Sequence, residues 1–171
     1  KGRFREGLEL FEHLYAALPC PKHKLREPIL EIISALKLRT GQLDFIQQTL
    51  GSIQGLSASG YITLGSTCIL KAQDEEAEYY YREALNLATE NQDVWYQCMS
   101  AGHLAYLKLK QKNYSEAEEF LLQEQRLLQH NEDYYRRAFN LCHQGELARD
   151  KHLYRIAEAF YLQSIDISMK T

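Results

Sequence analysis

Apolar residues recur along the chain at the three- and four-residue spacing of one helix face, and polar turns interrupt the pattern at regular intervals. No run alternates polar and apolar residues for long enough to predict a strand. The nine predicted helices span residues 3–18, 25–39, 42–54, 58–72, 74–90, 93–111, 114–129, 132–151 and 154–169. The pattern therefore predicts an all-α fold.

Turn and charged residues mark where several of these helices begin and end. We expect Pro19 and Pro21 to end the first helix, and Pro28 suits the first turn of the second. Gly41 can supply the left-handed residue that commonly follows a helix. Asp74 and the two glutamates after it place carboxylates where a helix N-terminus favours them, so the fifth helix should begin there.

Two positions four residues apart recur along the chain. The first is small in most copies, and the second is large. The small position holds Gly7, Ile46, Ala77, Ala117 and Ala157, and the large position holds Phe11, Leu50, Tyr81, Leu121 and Tyr161. The last three copies lie forty residues apart, and such a fixed period indicates a helical repeat array. Two antiparallel helices that pack about 8 to 10 Å apart need a small residue where they face each other. The pattern thus predicts stacked helical hairpins.

The predicted architecture is an α-α superhelix, or solenoid, of about nine antiparallel helices in one domain over residues 1–171. Four hairpins follow a leading half repeat that supplies only a second helix. The approximate repeats are 1–20, 25–54, 58–90, 93–129 and 132–170. Since the chain opens in mid-pattern and without an initiator methionine, we expect it to be a fragment of a larger protein.

Composition and charge narrow the functional classes. The 171 residues are 45% hydrophobic, which is enough for an ordinary globular core. The net charge of -3, from 20 basic and 23 acidic residues, gives no basic surface for direct contact with nucleic acid. No apolar run approaches the roughly 18 residues of a membrane span, and the first residues lack a signal-peptide core. We therefore expect a cytoplasmic protein that contacts no membrane.

Little in the sequence indicates catalysis, a cofactor or a metal. Cys20-Pro21-Lys22-His23 has a metal-like spacing but offers two ligands where structural zinc needs four, so an ordinary loop is favoured. The six histidines form no helical metal pattern. Cys142 and His143 are neighbours, and they face different ways on a helix. An enzyme that uses Cys142 and His143 is a remote alternative, and we expect no catalysis and no cofactor.

The repeats resemble tetratricopeptide (TPR) repeats. The best copies run from Leu64-Gly65 to Ala84, and from Gly145 through Ala157 to Tyr161. The chain departs from the family where Ala105 replaces the glycine of the first helix, and where Lys112 and His152 replace the glycine before the second helix. The period of forty also exceeds the usual 34 residues of the family. The resemblance covers nearly the whole chain and implies a fold of stacked hairpins that binds a protein or a peptide.

The long repeat narrows the resemblance further. Its Gly-Glu-Leu-Ala-Arg segment at 145–149 and its Tyr-Leu-x-Ser-Ile segment at 161–165 are similar to the long-repeat TPR regions of bacterial signal-transducing ATPases and regulators of the STAND/NB-ARC type. In such proteins the repeats detect a ligand or partner, and the ATPase lies elsewhere. The lack of a glycine-rich phosphate loop in this chain fits that arrangement.

Alignment with the TPR pattern implies which residues face the concave surface. These candidate binding residues are Glu31, Arg39, Ile62, Ser66, Met99, Tyr106, Lys110, Phe139, Glu146 and Arg149. The alternative is that the apolar ones pack between helices and the charged ones are solvated. The favoured function is a non-catalytic protein-, peptide- or ligand-binding module, the sensor or regulatory part of a larger signalling protein. A passive scaffold, or self-association through exposed solenoid ends, is the alternative.

Overall fold

A computed structural model of the chain describes residues 2–18, 25–129 and 133–169, with only the backbone for residues 2–4. These ranges contain nine α-helices and no strand, which confirms the all-α prediction. The helices are α1 (Gly2–Ala17), α2 (Arg26–Leu38), α3 (Leu43–Gly51), α4 (Ala58–Leu70), α5 (Asp74–Glu90), α6 (Val94–Lys110), α7 (Tyr114–Leu128), α8 (Tyr134–Asp150) and α9 (Tyr154–Met169). The predicted bounds of α5 and α9 match the structure at both ends.

The largest difference in a helix boundary is at the end of α3. The apolar pattern predicts a helix to residue 54, whereas α3 ends at Gly51. The Ser52 hydroxyl donates to the Thr49 carbonyl at 2.8 Å, and Gly55 has a φ of 76°. These turn features end the helix although the apolar spacing continues. The predictions for Pro19, Pro21 and the Cys20–His23 segment lie outside the described residues.

The chain divides into two compact units, Lys1–Leu87 and Ala88–Thr171. In the first unit α1 packs on α2, α2 on α3, and α3 on α4. Its core contains Ile46, Leu50, Leu56 and Leu64, all buried. Helices that are neighbours in sequence are thus neighbours in space, as in a helical repeat array.

The second unit packs in the same sequential manner. The hairpin α6–α7 contacts the hairpin α8–α9 through α7 and α8, and α6 also touches α8. Its core is formed by Ala105, Leu109, Ala117, Leu121 and Leu147. The single-domain assignment and the repeat limits remain predictions.

A left-handed residue closes each of the four hairpins that these helices form. Gly41, Ala72, Lys112 and His152 have φ values of 75°, 57°, 58° and 60°. The backbone N–H of the next residue donates to a carbonyl five positions earlier, as between Asn113 and Lys108 at 2.9 Å. Lys112 and His152 therefore occupy the conformation in which the TPR pattern would place glycine.

The small and large positions of the repeat lie inside the hairpins. Ala77, Ala117, Ala157 and Ile46 are buried, whereas Gly7 and Phe11 on α1 are half-buried. Among the large residues Leu50, Tyr81 and Leu121 are buried, and Tyr161 is half-buried. Each tyrosine ring lies across a glycine of the preceding helix. A methyl carbon on Gly65 would be 2.6 Å from the Tyr81 ring, and one on Gly145 would be 2.6 Å from the Tyr161 ring.

Candidate functional site

An open groove of about 400 Å³ lies between α6 and α8 in the second unit. Four of its residues come from α6, four from α8 and one from α7. They are Met99, Gly102, His103, Tyr106, Glu124, Tyr135, Arg136, Phe139 and His143. We call this surface the aromatic groove. The structure therefore brings together three of the predicted binding residues, Met99, Tyr106 and Phe139.

Ring contacts connect the two helices of the aromatic groove. Tyr135 and Phe139, one turn apart on α8, have ring centroids 4.9 Å apart. His143 lies 5.9 Å from Phe139 and 5.9 Å from Tyr106, so it bridges the aromatic residues of α8 and α6. Tyr106, Tyr135 and Phe139 are nevertheless exposed. A row of exposed aromatic rings is a frequent feature of protein-binding surfaces.

A buried carboxylate forms part of the floor of the aromatic groove. Glu124 is only 1% exposed, and a methyl carbon on Gly102 would lie 2.7 Å from its Oε1 atom. Arg136 Nη1 donates to Oε1 at 3.2 Å, and Asn140 Nδ2 donates to Oε2 at 3.0 Å. Burial raises the pKa of Glu124, although the bonds from Asn140 and Arg136 lower it. The negative charge is thus held between two donors from α8.

Both histidines of the aromatic groove are neutral near pH 7. Burial lowers the pKa of His103 to about 4, and the charge of Arg136 acts in the same direction. Burial and Arg136 also lower the pKa of His143 to about 4. The Nδ1 atom of His143 is buried and has no hydrogen-bond partner among the described residues. Apart from the Glu124–Arg136 pair, the aromatic groove is therefore uncharged.

A second concavity of about 310 Å³ adjoins the aromatic groove at Tyr106. Its lining is Tyr106, Leu109, Lys110, Lys112, Glu146, Arg149 and Asp150, and we call it the charged pocket. It brings together the predicted residues Lys110, Glu146 and Arg149. The Arg149 guanidinium donates to Asp150 Oδ1 at 3.1 and 3.2 Å, and this bond raises the pKa of Arg149. The pocket thus presents charges of both signs beside an aromatic surface.

The four remaining predicted residues lie in the first unit. Glu31 accepts a bond from the Ser57 backbone N–H at 2.9 Å and another from its hydroxyl, so it fixes the N-terminus of α4. Ile62 is buried. Ser66 is hydrogen-bonded to the Tyr81 hydroxyl at 3.2 Å, and Arg39 is exposed at the end of α2. Glu31 and Ser66 therefore form hydrogen bonds within the first unit.

Sequence reasoning missed Glu124, Arg136, Asn140 and both groove histidines as site residues. A signal was present for Glu124. It stands three residues after the large position Leu121, where other repeats have Ala84 and Ser164. A long acidic side chain at a small position predicts a special contact. Its partners on α8 could not be read from spacing alone.

The remote catalytic alternative needs Cys142 as a nucleophile and His143 as a base. The pKa of each side chain is shifted in the direction that disfavours its role. Burial raises the pKa of the Cys142 thiol, so little reactive thiolate is present near pH 7.

Among the described residues, no three histidine, cysteine, aspartate or glutamate side chains are grouped so that they could hold a metal ion. Within the same residues, no helix is both long and apolar enough to cross a membrane.

Comparisons with known proteins do not assign a family. No family model matches the sequence, and no curated protein matches it. The TPR resemblance remains a prediction, because sequentially packed hairpins occur in several classes of helical repeat protein. The function must therefore be inferred from the chemistry of the groove.

Proposed function

We propose that this chain is a non-catalytic module that binds a protein or peptide through the aromatic groove of its second unit. The observation that carries the proposal is the row of rings Tyr135, Phe139, His143 and Tyr106, in which Phe139 and both tyrosines are exposed. Aromatic residues are enriched among those that dominate binding energy at protein interfaces. The repeat resemblance supports a sensor or regulatory role within a larger signalling protein.

The charge distribution selects the kind of side chain that the aromatic groove accepts. Its two histidines are neutral near pH 7, and the Glu124 carboxylate is satisfied by Arg136 and Asn140. A charged side chain would lose water there without gaining a free partner of opposite sign. An aromatic or aliphatic side chain of the partner would instead bury apolar surface against the rings. The charged pocket can then contact polar residues that flank this anchor.

A displayed library of random peptides tests the proposed function. We expect the full chain to enrich peptides that share an aromatic or aliphatic anchor. The double variant Tyr106→Ala with Phe139→Ala should weaken their binding at least about tenfold, since two apolar contacts are lost. The matched control is Tyr79→Ala with Tyr154→Ala, two exposed tyrosines outside the groove. Equal binding by the groove variant and the control, or no enrichment at all, would contradict the proposal.

A further inference from the structure

The aromatic groove and the charged pocket follow one another along the same two helices. On α6 the groove is lined from Met99 to Tyr106, and the charged pocket is lined from Tyr106 to Lys110. On α8 the order is the same, since the groove ends at His143 and the pocket begins at Glu146. Tyr106 forms a wall of both cavities. A single ligand that lies along α6 and α8 would therefore contact both.

The side-chain charges of the charged pocket do not balance. Its cations are Lys110, Lys112 and Arg149, and its carboxylates are Glu146 and Asp150. Three positive and two negative groups leave an excess of one positive charge. In the aromatic groove, by contrast, one carboxylate and one guanidinium are bonded to each other. Charge complementarity therefore favours a ligand that brings one negative group to the charged pocket.

The helix ends beside the charged pocket do not cancel this excess. Free carbonyls at the C-terminal ends of α6 and α8 would oppose an anion. In each helix, however, three of the last four carbonyls accept a backbone N–H from the residues that follow the helix. These acceptors are the carbonyls of Leu107, Lys108 and Leu109 in α6, and of Leu147, Ala148 and Arg149 in α8. The side chains therefore set the sign of the pocket.

The basic side chains of the charged pocket can reach a bound carboxylate. The Arg149 Nε and Nη2 atoms donate to Asp150 Oδ1 at 3.2 and 3.1 Å. These bonds use two of the five N–H donors of a guanidinium, so the group can donate to a second carboxylate as well. Lys110 and Lys112 are exposed, and their flexible side chains can approach the same acceptor.

The distance between the two cavities sets the spacing of the ligand groups. Gly102 and His103, in the middle of the groove wall on α6, precede Lys110 by eight and seven residues. At about 1.5 Å per residue this separation is about 10 to 12 Å. An extended peptide covers that distance with three or four residues, since each adds about 3.3 Å. The spacing is short enough for one peptide segment to reach both cavities.

We propose that the two cavities form one binding site for an extended peptide segment with an apolar anchor and an acidic residue. The anchor lies in the aromatic groove, and an aspartate or glutamate three or four residues away lies in the charged pocket. The inference rests on the proposed function, because it requires the anchor to bind in the groove. It adds the charge of the partner and the position of that charge.

Four short synthetic peptides with blocked ends test the charge and its position. Each has one tryptophan in a glycine and serine background. One peptide is neutral, two carry a glutamate three residues before or after the tryptophan, and the fourth carries it next to the tryptophan. Binding to the full chain is followed by the methyl NMR signal of Met99 in the groove, and Met169, the other methionine, is the internal reference.

We expect the neutral peptide to shift the Met99 signal saturably. One of the two peptides with the three-residue spacing should bind about two- to fivefold tighter, as for an exposed ion pair. The other three-residue peptide should bind like the neutral one, because a bound segment has one direction. The peptide with adjacent residues should also show no gain, although its net charge is the same.

A charge reversal in the protein provides the second test. Lys110→Glu makes the side-chain charges of the pocket sum to minus one, so the gain from glutamate should disappear. A lysine in its place in the peptide should then strengthen binding by a similar factor. Arg126→Glu, at an exposed basic residue of α7 outside both cavities, is the matched control and should keep the preference for glutamate.

The outcomes separate this inference from the proposed function. If none of the four peptides shifted the Met99 signal, the proposed function would fail together with the inference. If the neutral peptide bound and glutamate gave no gain, or the same gain at every position, only the two-part site would be overturned. An equal loss of the glutamate preference in Lys110→Glu and Arg126→Glu would also overturn it, since the effect would then reflect net charge alone.

Discussion

At the scale of single residues, backbone conformation explains one departure from the TPR pattern. Ala72, Lys112 and His152 close their hairpins with a positive φ, where Gly41 does so in the first hairpin. A residue with a β-carbon is strained by roughly 1 kcal/mol in this region, whereas glycine is not. The hairpin turn is thus retained without glycine, at a small loss of stability.

Glycine substitutions at these turns should reveal that strain. We expect Ala72→Gly to raise the free energy of unfolding by about 0.5 kcal/mol, since relief of strain exceeds the extra entropy of the unfolded chain. Gly41→Ala should lower it by about 1 kcal/mol. Gly51→Ala is the matched control, because both glycines have open space around them but Gly51 is helical. Urea denaturation measures all three, and a loss of stability in Gly51→Ala equal to that in Gly41→Ala would contradict the account.

Where the two helices of a hairpin face each other, the size of one residue complements the size of the other. Gly65 faces Tyr81 and Gly145 faces Tyr161, whereas the corresponding Ala105 shares a core cluster with Leu121. A small residue and its large neighbour therefore vary together. The sequence pattern predicted the small and the large positions of the second helices. It did not predict this pairing, which depends on which atoms of the two helices meet.

A double-mutant cycle at Gly65 and Tyr81 tests the size match. Gly65→Ala should cost about 1 to 3 kcal/mol, because its methyl group overlaps the Tyr81 ring. Tyr81→Leu should also destabilise, since the ring and its bond to Ser66 are lost. The double variant recreates an alanine–leucine pair, so we expect it to be at least about 1 kcal/mol more stable than the sum of the two changes implies. Additive losses in thermal or urea unfolding would exclude a direct size match.

At the scale of helices, the apolar period predicted the central part of every element, and hydrogen bonds at the ends set the boundaries. Ser57, Asp93, Asn113 and Asp133 each accept a bond from a backbone N–H three residues later, and each stands just before its helix. Apolar spacing says nothing about such caps. Apolar spacing is equally silent on the Ser52–Thr49 bond and the positive φ of Gly55 that end α3. Helix centres were therefore predicted better than helix ends.

The candidate site was predicted in part for the same reason. Met99, Tyr106 and Phe139 were placed on the binding surface by alignment with the TPR pattern, and they lie in the aromatic groove. Glu31 was predicted to line the binding surface, but its carboxylate caps α4 through Ser57. The Glu124–Arg136 contact joins α7 to α8, and one sequence holds no information on which residues meet across that interface. Prediction therefore succeeded along helices and was incomplete between them.

The polar contacts of Glu124 should make it the main electrostatic link between α7 and α8. We expect Glu124→Ala to lower the free energy of unfolding by about 2 to 3 kcal/mol, because Arg136 and Asn140 lose their buried acceptor. Glu124→Gln keeps an acceptor oxygen and should cost less. Glu119→Ala, an exposed glutamate on the same helix, serves as the control. Equal stability of Glu124→Ala and Glu119→Ala in urea would show that the link contributes nothing.

At the scale of the whole molecule, stability should depend on pH through the groove histidines. Burial lowers the pKa of His103 and His143 to about 4, while the same rings in the unfolded chain titrate near pH 6.5. Between these values the unfolded state binds more protons than the folded state. The free energy of unfolding should therefore fall as the pH drops from 6.5 towards 4, by at most about 1.4 kcal/mol per pH unit for each histidine.

Glu124 acts in the opposite direction, and variants separate the two effects. Its raised pKa means that the folded state takes up its proton before the unfolded state does, which favours folding as the pH falls. We expect His143→Gln to remove about half of the histidine contribution to the pH dependence. The exposed His152, changed to asparagine because this residue tolerates a positive φ, is the control. Fluorescence of Trp95, the single tryptophan, follows urea unfolding of the second unit at pH 7, 6, 5 and 4.5. If His143→Gln kept the slope of the unchanged chain, protonation of this ring would not contribute to acid unfolding.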